Sequence, residues 1–180
     1  MANGDPVPAG EELDSPTTWT IISPNRTVRA TIELADRGGT AGLPAGERLY
    51  YTVEVGAGES YTTVLETSPL GIARTGAAFI EGLALAAAGG GTRVDETYAM
   101  LTGKRREPRN FANQRILTFS NSGDALLELE LRAYDTGFAF RYRFPEVDPT
   151  LRTVEQELSG FNVPDASRAW LLAYDLPGQV

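Results

Sequence analysis

The 180 residues contain no cysteine, no histidine and a single lysine, Lys104. Without cysteine there is no disulfide framework and no thiolate nucleophile. Without histidine, Ser-His-Asp and Cys-His systems are excluded, as are histidine-ligated zinc sites. Acid–base work would fall to carboxylates, tyrosines or the one lysine. Long apolar runs are also missing. "FIEGLALAAAGGG" is interrupted by Glu81 and four glycines and cannot span a bilayer. The opening "MANGDPVPAGEELDSP" has neither the basic nor the apolar region of a signal peptide, so an exported form would need a signal absent from this sequence. Positive charge is scarce, with 16 Lys and Arg against 24 Asp and Glu and a net charge of -8. That balance argues against nucleic acid as a partner, because such binding is driven by releasing counterions from phosphate.

Hydrophobic residues make up 42% of the chain, enough for a packed core, and the length fits one domain. Residues 1–16, rich in proline, glycine and acids, read as a flexible tail, and 17–180 as a β domain. The domain is built from short runs of period-two alternation. "TWTIIS" is a first strand. In "NRTVRATIELA", Val28, Ala30, Ile32 and Leu34 share a face, and in "RLYYTVEVG" so do Leu49, Tyr51, Val53 and Val55. "ALLELELRAYDTGFAFRYRFP" reads as a hairpin. Leu127, Leu129 and Leu131 face the core, and Glu128, Glu130 and Arg132 face water. Gly137 is expected to take a positive φ in the turn. Phe138, Phe140, Tyr142 and Phe144 return on one face until Pro145 ends the strand. "GAAFIEGLALAAAG" suits either a short helix or a strand placing Phe79, Leu83 and Leu85. About ten strands at short spacing predict a mostly antiparallel all-β sandwich.

The positive charge gathers in one loop, "VDETYAMLTGKRREPRN". Neither its Gly103 nor the preceding Gly89, Gly90 and Gly91 make a phosphate loop, because the three glycines are followed by Thr92-Arg93 and Gly103-Lys104 by Arg105 rather than Ser or Thr. Asp95 and Glu96 resemble a catalytic pair, yet neighbours on a strand point to opposite faces. Glu155 and Glu157 share a face about 7 Å apart, a glycosidase-like spacing, but a wet strand face explains them as well. Asn25-Arg26-Thr27 is a glycosylation sequon, meaningful only in an exported eukaryotic protein. The aromatic run from Tyr134 to Phe144 could stack on sugar rings, and its single-faced alternation favours core packing. Arg109 lies downstream of Asp95 and Glu96, where a bidentate arginine–carboxylate pair would fix the loop.

The ordered set "SPNRTVRATIEL", "LYYTVEV", "SPLGI", "VDETYAMLTGKRREPRN", "LRAYDTGFAFRYRFP" and "RAW" resembles the N-terminal domain of glycoside hydrolase family 97, the bacterial α-glucosidases and α-galactosidases. Members typically carry "DETY" or "DETW", a Gly-Lys or Gly-Glu turn, "RN", and then "RAYDDG-AFRY-FP". The likeness runs from about Trp19 to Trp170. "RNFANQ" departs from it, with Gln114 ending a run that in the family usually reads Tyr-Asn-Glu.

The resemblance implies a β-supersandwich of the galactose mutarotase type, placed before a catalytic (β/α)8 barrel and a smaller β domain. It also implies a calcium-dependent, periplasmic or secreted enzyme. The acidic residue that this domain lends to calcium aligns beyond the present chain, so neither a metal ligand nor a catalytic residue is assigned here and no calcium is expected on this chain alone. Asp95, Glu96, Arg109 and Asn110 are the candidate substrate-binding or interface residues, expected to form one polar cluster. The leading expectation is a noncatalytic domain, inactive alone, that helps complete the barrel's active site. The alternatives are a stand-alone carbohydrate-binding module and a mutarotase-like enzyme, the latter opposed by the absence of histidine. The ending "WLLAYDLPGQV", without a turn or polar terminus, is expected to continue in a longer chain.

Overall fold

A computed structural model of the chain describes residues 14–170, apart from 41, 59, 103 and 105. The expected continuation after "WLLAYDLPGQV" and most of the expected tail therefore lie outside the described residues. Every described element is a strand, so the segment that suited helix or strand is strand. Twelve strands form where about ten were expected.

The first sheet joins β1 (Thr18–Ile22), β2 (Val28–Asp36), β3 (Glu47–Ala57) and β4 (Ser60–Pro69) in that order, all antiparallel. Sequence neighbours pair because each connection is a turn. Gly58, at φ 63°, makes the sharpest of these between β3 and β4. Then come β5 (Ile72–Arg74), β6 (Ala77–Phe79), β7 (Ala84–Ala88), β8 (Thr92–Thr97), β9 (Arg109–Ser120), β10 (Leu126–Tyr134), β11 (Gly137–Arg143) and β12 (Val154–Glu157). The second sheet runs β11-β10-β9-β7, with β8 continuing β7's side of β9, and a small sheet joins β12-β5-β6.

Alternation then dictates the core. Val28, Ala30, Ile32 and Leu34 of β2 and Leu49, Tyr51 and Val53 of β3 face Leu117 and Phe119 of β9 and Leu127, Leu129, Leu131 and Ala133 of β10. Trp19 and Phe119 meet edge-to-face across the layers, their ring centroids 5.5 Å apart. Each fully buried leucine contributes about 1.5–3 kcal/mol relative to exposure. Phe138, Phe140, Tyr142 and Phe144 pack on this core from β11 and just past it, as the single-faced run implied.

Four expectations need correction. Val55 shares its strand face with Val53 but is 42% exposed, because it lies at the sandwich's open end. Gly137 does not take a positive φ. It pairs with Tyr134 inside the ladder, which leaves Asp135 and Thr136 as the turn's central residues. Glu130 does not face water, being only 3% exposed. The expected tail also ends too late, since Asp14 is ion-paired and Ser15 bridges Thr18.

Asp14 shows how the first sheet is finished. β1 is an edge strand, and its outward backbone groups need partners. Asp14 Oδ1 accepts the Thr20 N–H at 3.0 Å. Arg115 Nη1 donates to Thr20 O at 3.0 Å, and Asn113 Nδ2 to Ile22 O at 2.6 Å. These three side chains act as a substitute strand, which is why Asn113 and Arg115 are buried on an otherwise apolar face of β9. No helix among the described residues is long and apolar enough to cross a membrane.

Candidate functional site

β8 and the start of β9 run past the sandwich as a two-stranded arm. Its register pairs Asp95 with Phe111, Glu96 with Asn110 and Thr97 with Arg109. The ladder extends beyond the strands, with Tyr98 N donating to Pro108 O at 3.3 Å and Met100 N to Arg106 O at 2.8 Å. The basic loop of the sequence is therefore the distal half of a hairpin. At its far end Tyr98, Met100 and Leu101 are exposed, Leu101 completely, alongside exposed Lys104 and Arg106.

The four candidate residues sit at the base of this arm, in two pairs rather than one cluster. Arg109 donates through Nε and Nη2 to Asp95 Oδ1 and Oδ2, both at 2.6 Å, a bidentate fork. The Arg109 guanidinium lies 4.3 Å from the Phe111 ring centroid, with Arg93 at 5.0 Å. Hydrogen bonding from Arg109 holds the Asp95 carboxyl below its ordinary range. On the opposite face Asn110 Nδ2 donates to Glu96 Oε2 at 3.1 Å, and Tyr134 donates its hydroxyl to Asn110 Oδ1 at 3.1 Å. The split follows from strand geometry, since adjacent residues point to opposite sides.

Asn110 opens a polar lattice that crosses the outer face of the second sheet. Arg132 donates to Gln114 Oε1 at 2.8 Å and lies 3.1 Å from Glu130. Arg141 donates to Glu130 Oε2 from Nε and Nη2, at 2.8 and 2.6 Å, and Arg143 lies 3.6 Å from the same carboxylate. Three arginines thus cover Glu130 from water, which explains its burial. Phe111, Gln114, Glu130 and Tyr134 were not among the sequence candidates. Only the pairing register brings them to the arm or the lattice.

The other chemical readings lose their geometry. Glu155 accepts from Thr75 Oγ1 at 3.2 Å, while Glu157 lines a different apolar cleft, and the β12 ladder is irregular between Val154 and Gln156. Burial raises the Tyr51 hydroxyl well above its usual range and pushes Tyr142 up to about 12, so neither offers a base at neutral pH. As for calcium, no three Asp or Glu residues gather among the described residues. No step below is routed through it.

A profile of the family described as "Glycosyl-hydrolase 97 N-terminal" matches residues 21–178. A protein of Streptomyces bingchenggensis (strain BCW-1) named "Probable retaining alpha-galactosidase" is 33% identical over 160 residues, which is 88% of this chain and 23% of that protein. Among solved structures, a beta-arabinopyranosidase superimposes with a TM-score of 0.62 at 24% identity, over 81% of this chain and 21% of its own. A variant of a Glycoside Hydrolase Family 97 enzyme from Pseudoalteromonas sp. strain K8, in complex with panose, gives a TM-score of 0.60 at 20% identity, over 81% and 20%. The chain spans between a fifth and a quarter of the length of these relatives.

Proposed function

The chain belongs to the glycosyl-hydrolase 97 N-terminal family, and from that premise we propose that it is a noncatalytic domain packing on a (β/α)8 barrel and helping to complete its active site. The barrel would act on α-glucosides or α-galactosides, and the kinship with the Streptomyces protein favours the latter.

The observation that carries the reading is the β8–β9 arm. It is laddered as far as Met100 and Arg106 and joined at its base by the Asp95–Arg109 fork. It ends in Tyr98, Met100 and Leu101, which the domain's own core leaves exposed. Apolar side chains on a preorganised arm suit docking against another surface, where little ordering entropy remains to be lost. Catalysis by the chain itself is unsupported. Glycoside hydrolysis needs two carboxyl groups flanking one bond, whereas Asp95 and Glu96 occupy opposite faces and each already serves a partner.

Arg109→Ala, made in a longer polypeptide that includes the barrel, tests the reading. Misplacing the arm should lower kcat/KM about ten- to hundredfold. Arg152→Ala, which breaks the exposed Asp148–Arg152 pair far from the arm in sequence, should leave it unchanged. Wild-type kcat/KM and interdomain melting in Arg109→Ala would remove the proposal.

A further inference from the structure

The edges of the two sheets are finished very differently. β1's edge is capped by Asp14, Arg115 and Asn113. β4's edge is covered by the chain at 160–162, through Gly160 N to Pro69 O at 2.9 Å, Glu66 N to Asn162 O at 2.7 Å and Asn162 Nδ2 to Thr67 O at 2.7 Å. β7, five residues long, carries a register shift, whereas β8 is set off from it by glycines and pairs regularly with β9 over six residues. Short, bulged or covered edges are how proteins avoid unwanted pairing.

β11 has none of these devices. It is seven residues long, contains no proline, and pairs with β10 without a register shift. The hairpin closes at Tyr134–Gly137, so the pairs at Ala139, Arg141 and Arg143 also bond toward β10. Alternation turns the amides and carbonyls of Phe138, Phe140 and Tyr142 off the sheet, where no backbone partner meets them among the described residues. The side chains of Phe138 and Phe140 are only half-buried. They line a cleft of about 680 Å³ between the sheets, with Tyr51, Val64 and Phe161 on its other walls. On the opposite face Arg141 and Arg143 are 63% and 46% exposed.

We propose that β11 receives a further β-strand from a part of the same polypeptide outside these 180 residues. Its backbone pairs with Phe138, Phe140 and Tyr142. Its inward residues are apolar and fill the cleft, and its outward residues are acidic and meet Arg141 and Arg143. The edge calls for a strand rather than a sugar, because what stands unpaired is a periodic row of backbone donors and acceptors above an aromatic floor. Arg132, Arg141 and Arg143 share only Glu128 and Glu130 on that face, and the surplus positive charge selects the acidic pattern, since opposite charges on adjacent strands stabilise each other. The much greater length of the relatives provides for such a strand. The inference rests on the reading of this chain as one domain of a longer enzyme.

Residue-resolved amide hydrogen exchange on the 180-residue chain and on the longer polypeptide tests it. The Phe138, Phe140 and Tyr142 amides should exchange about a hundredfold or more slower in the longer protein. The Ala139 and Arg141 amides, bonded to β10, should be protected in both. Fast exchange at the first three in the longer protein would overturn the inference while leaving the docking of the arm intact. Protection already present in the 180-residue chain would overturn it as well, pointing to a second copy if it depends on concentration and to the chain's own termini if it does not. A reading frame ending at Val180 would overturn both readings together.

Discussion

Strand β9 carries two arginines six positions apart, and each is gripped by an aspartate in a bidentate fork. Arg115 donates to Asp14 at 3.0 and 2.6 Å, and Arg109 to Asp95 at 2.6 and 2.6 Å. The bonds are alike and the surroundings are not. The Arg115 side chain is 5% exposed, enclosed where it completes the edge of β1, and that of Arg109 is 57% exposed at the root of the arm. A buried charge that loses its partner cannot recover the loss from water, whereas an exposed one can. One arginine therefore belongs to stability, and the other is free to serve docking.

The largest expected effect breaks the buried fork. Asp14→Ala leaves Arg115 uncompensated and should cost about 3–5 kcal/mol, lowering the melting temperature of a chain this size by about 6–20 °C. Calorimetry on the 180-residue chain measures this, and a loss of a degree or less would mean that Arg115 rehydrates and the pair is not a pin. Between the extremes stands Glu130→Gln. The carboxylate is 3% exposed, but its arginine partners are partly wet and can turn to solvent, so about 1–3 kcal/mol should be lost in denaturant unfolding.

The smallest effect is at the exposed fork in the isolated chain. The Asp95 carboxyl is held below its ordinary range, so its contribution to the arm is present above the unfolded carboxylate value. It is lost only as pH falls through the lower, folded value. Its titration, followed by carboxyl-carbon NMR, should have a midpoint below the reference of about 3.9 and move toward it with added salt. A midpoint at or above the reference would show that the fork does not persist in solution.

Much of the fold was legible. Alternation in β2, β3, β10 and β11 named the core residues because a period of two sorts side chains between two faces without further information. A bidentate pair between Arg109 and one of the Asp95 and Glu96 carboxylates was legible too, from residue type and nearness along the chain, and the pairing register decided for Asp95. What escaped was whatever depended on the covering of a face. Tyr50 stands on the side opposite the core residue Tyr51, yet it is fully buried, its hydroxyl donating to Pro44 O at 2.9 Å from the loop folded above it. Glu130 escaped in the same way beneath its arginines. The expectation of one four-residue cluster gave way to two pairs, because the alternation that identifies the core also divides Asp95 from Glu96.

The order of residues alone determined that this chain makes antiparallel strands, which side of most of them is apolar, and which chemistries are closed to a protein without cysteine or histidine. Only the tertiary structure decided that Asp14 meets Arg115 from 101 residues away, that Glu130 is sealed, and that β11 keeps a bare edge. Period and composition are local properties, whereas burial of a polar group depends on register and on what is laid over it, and these are set by contacts between distant parts of the chain.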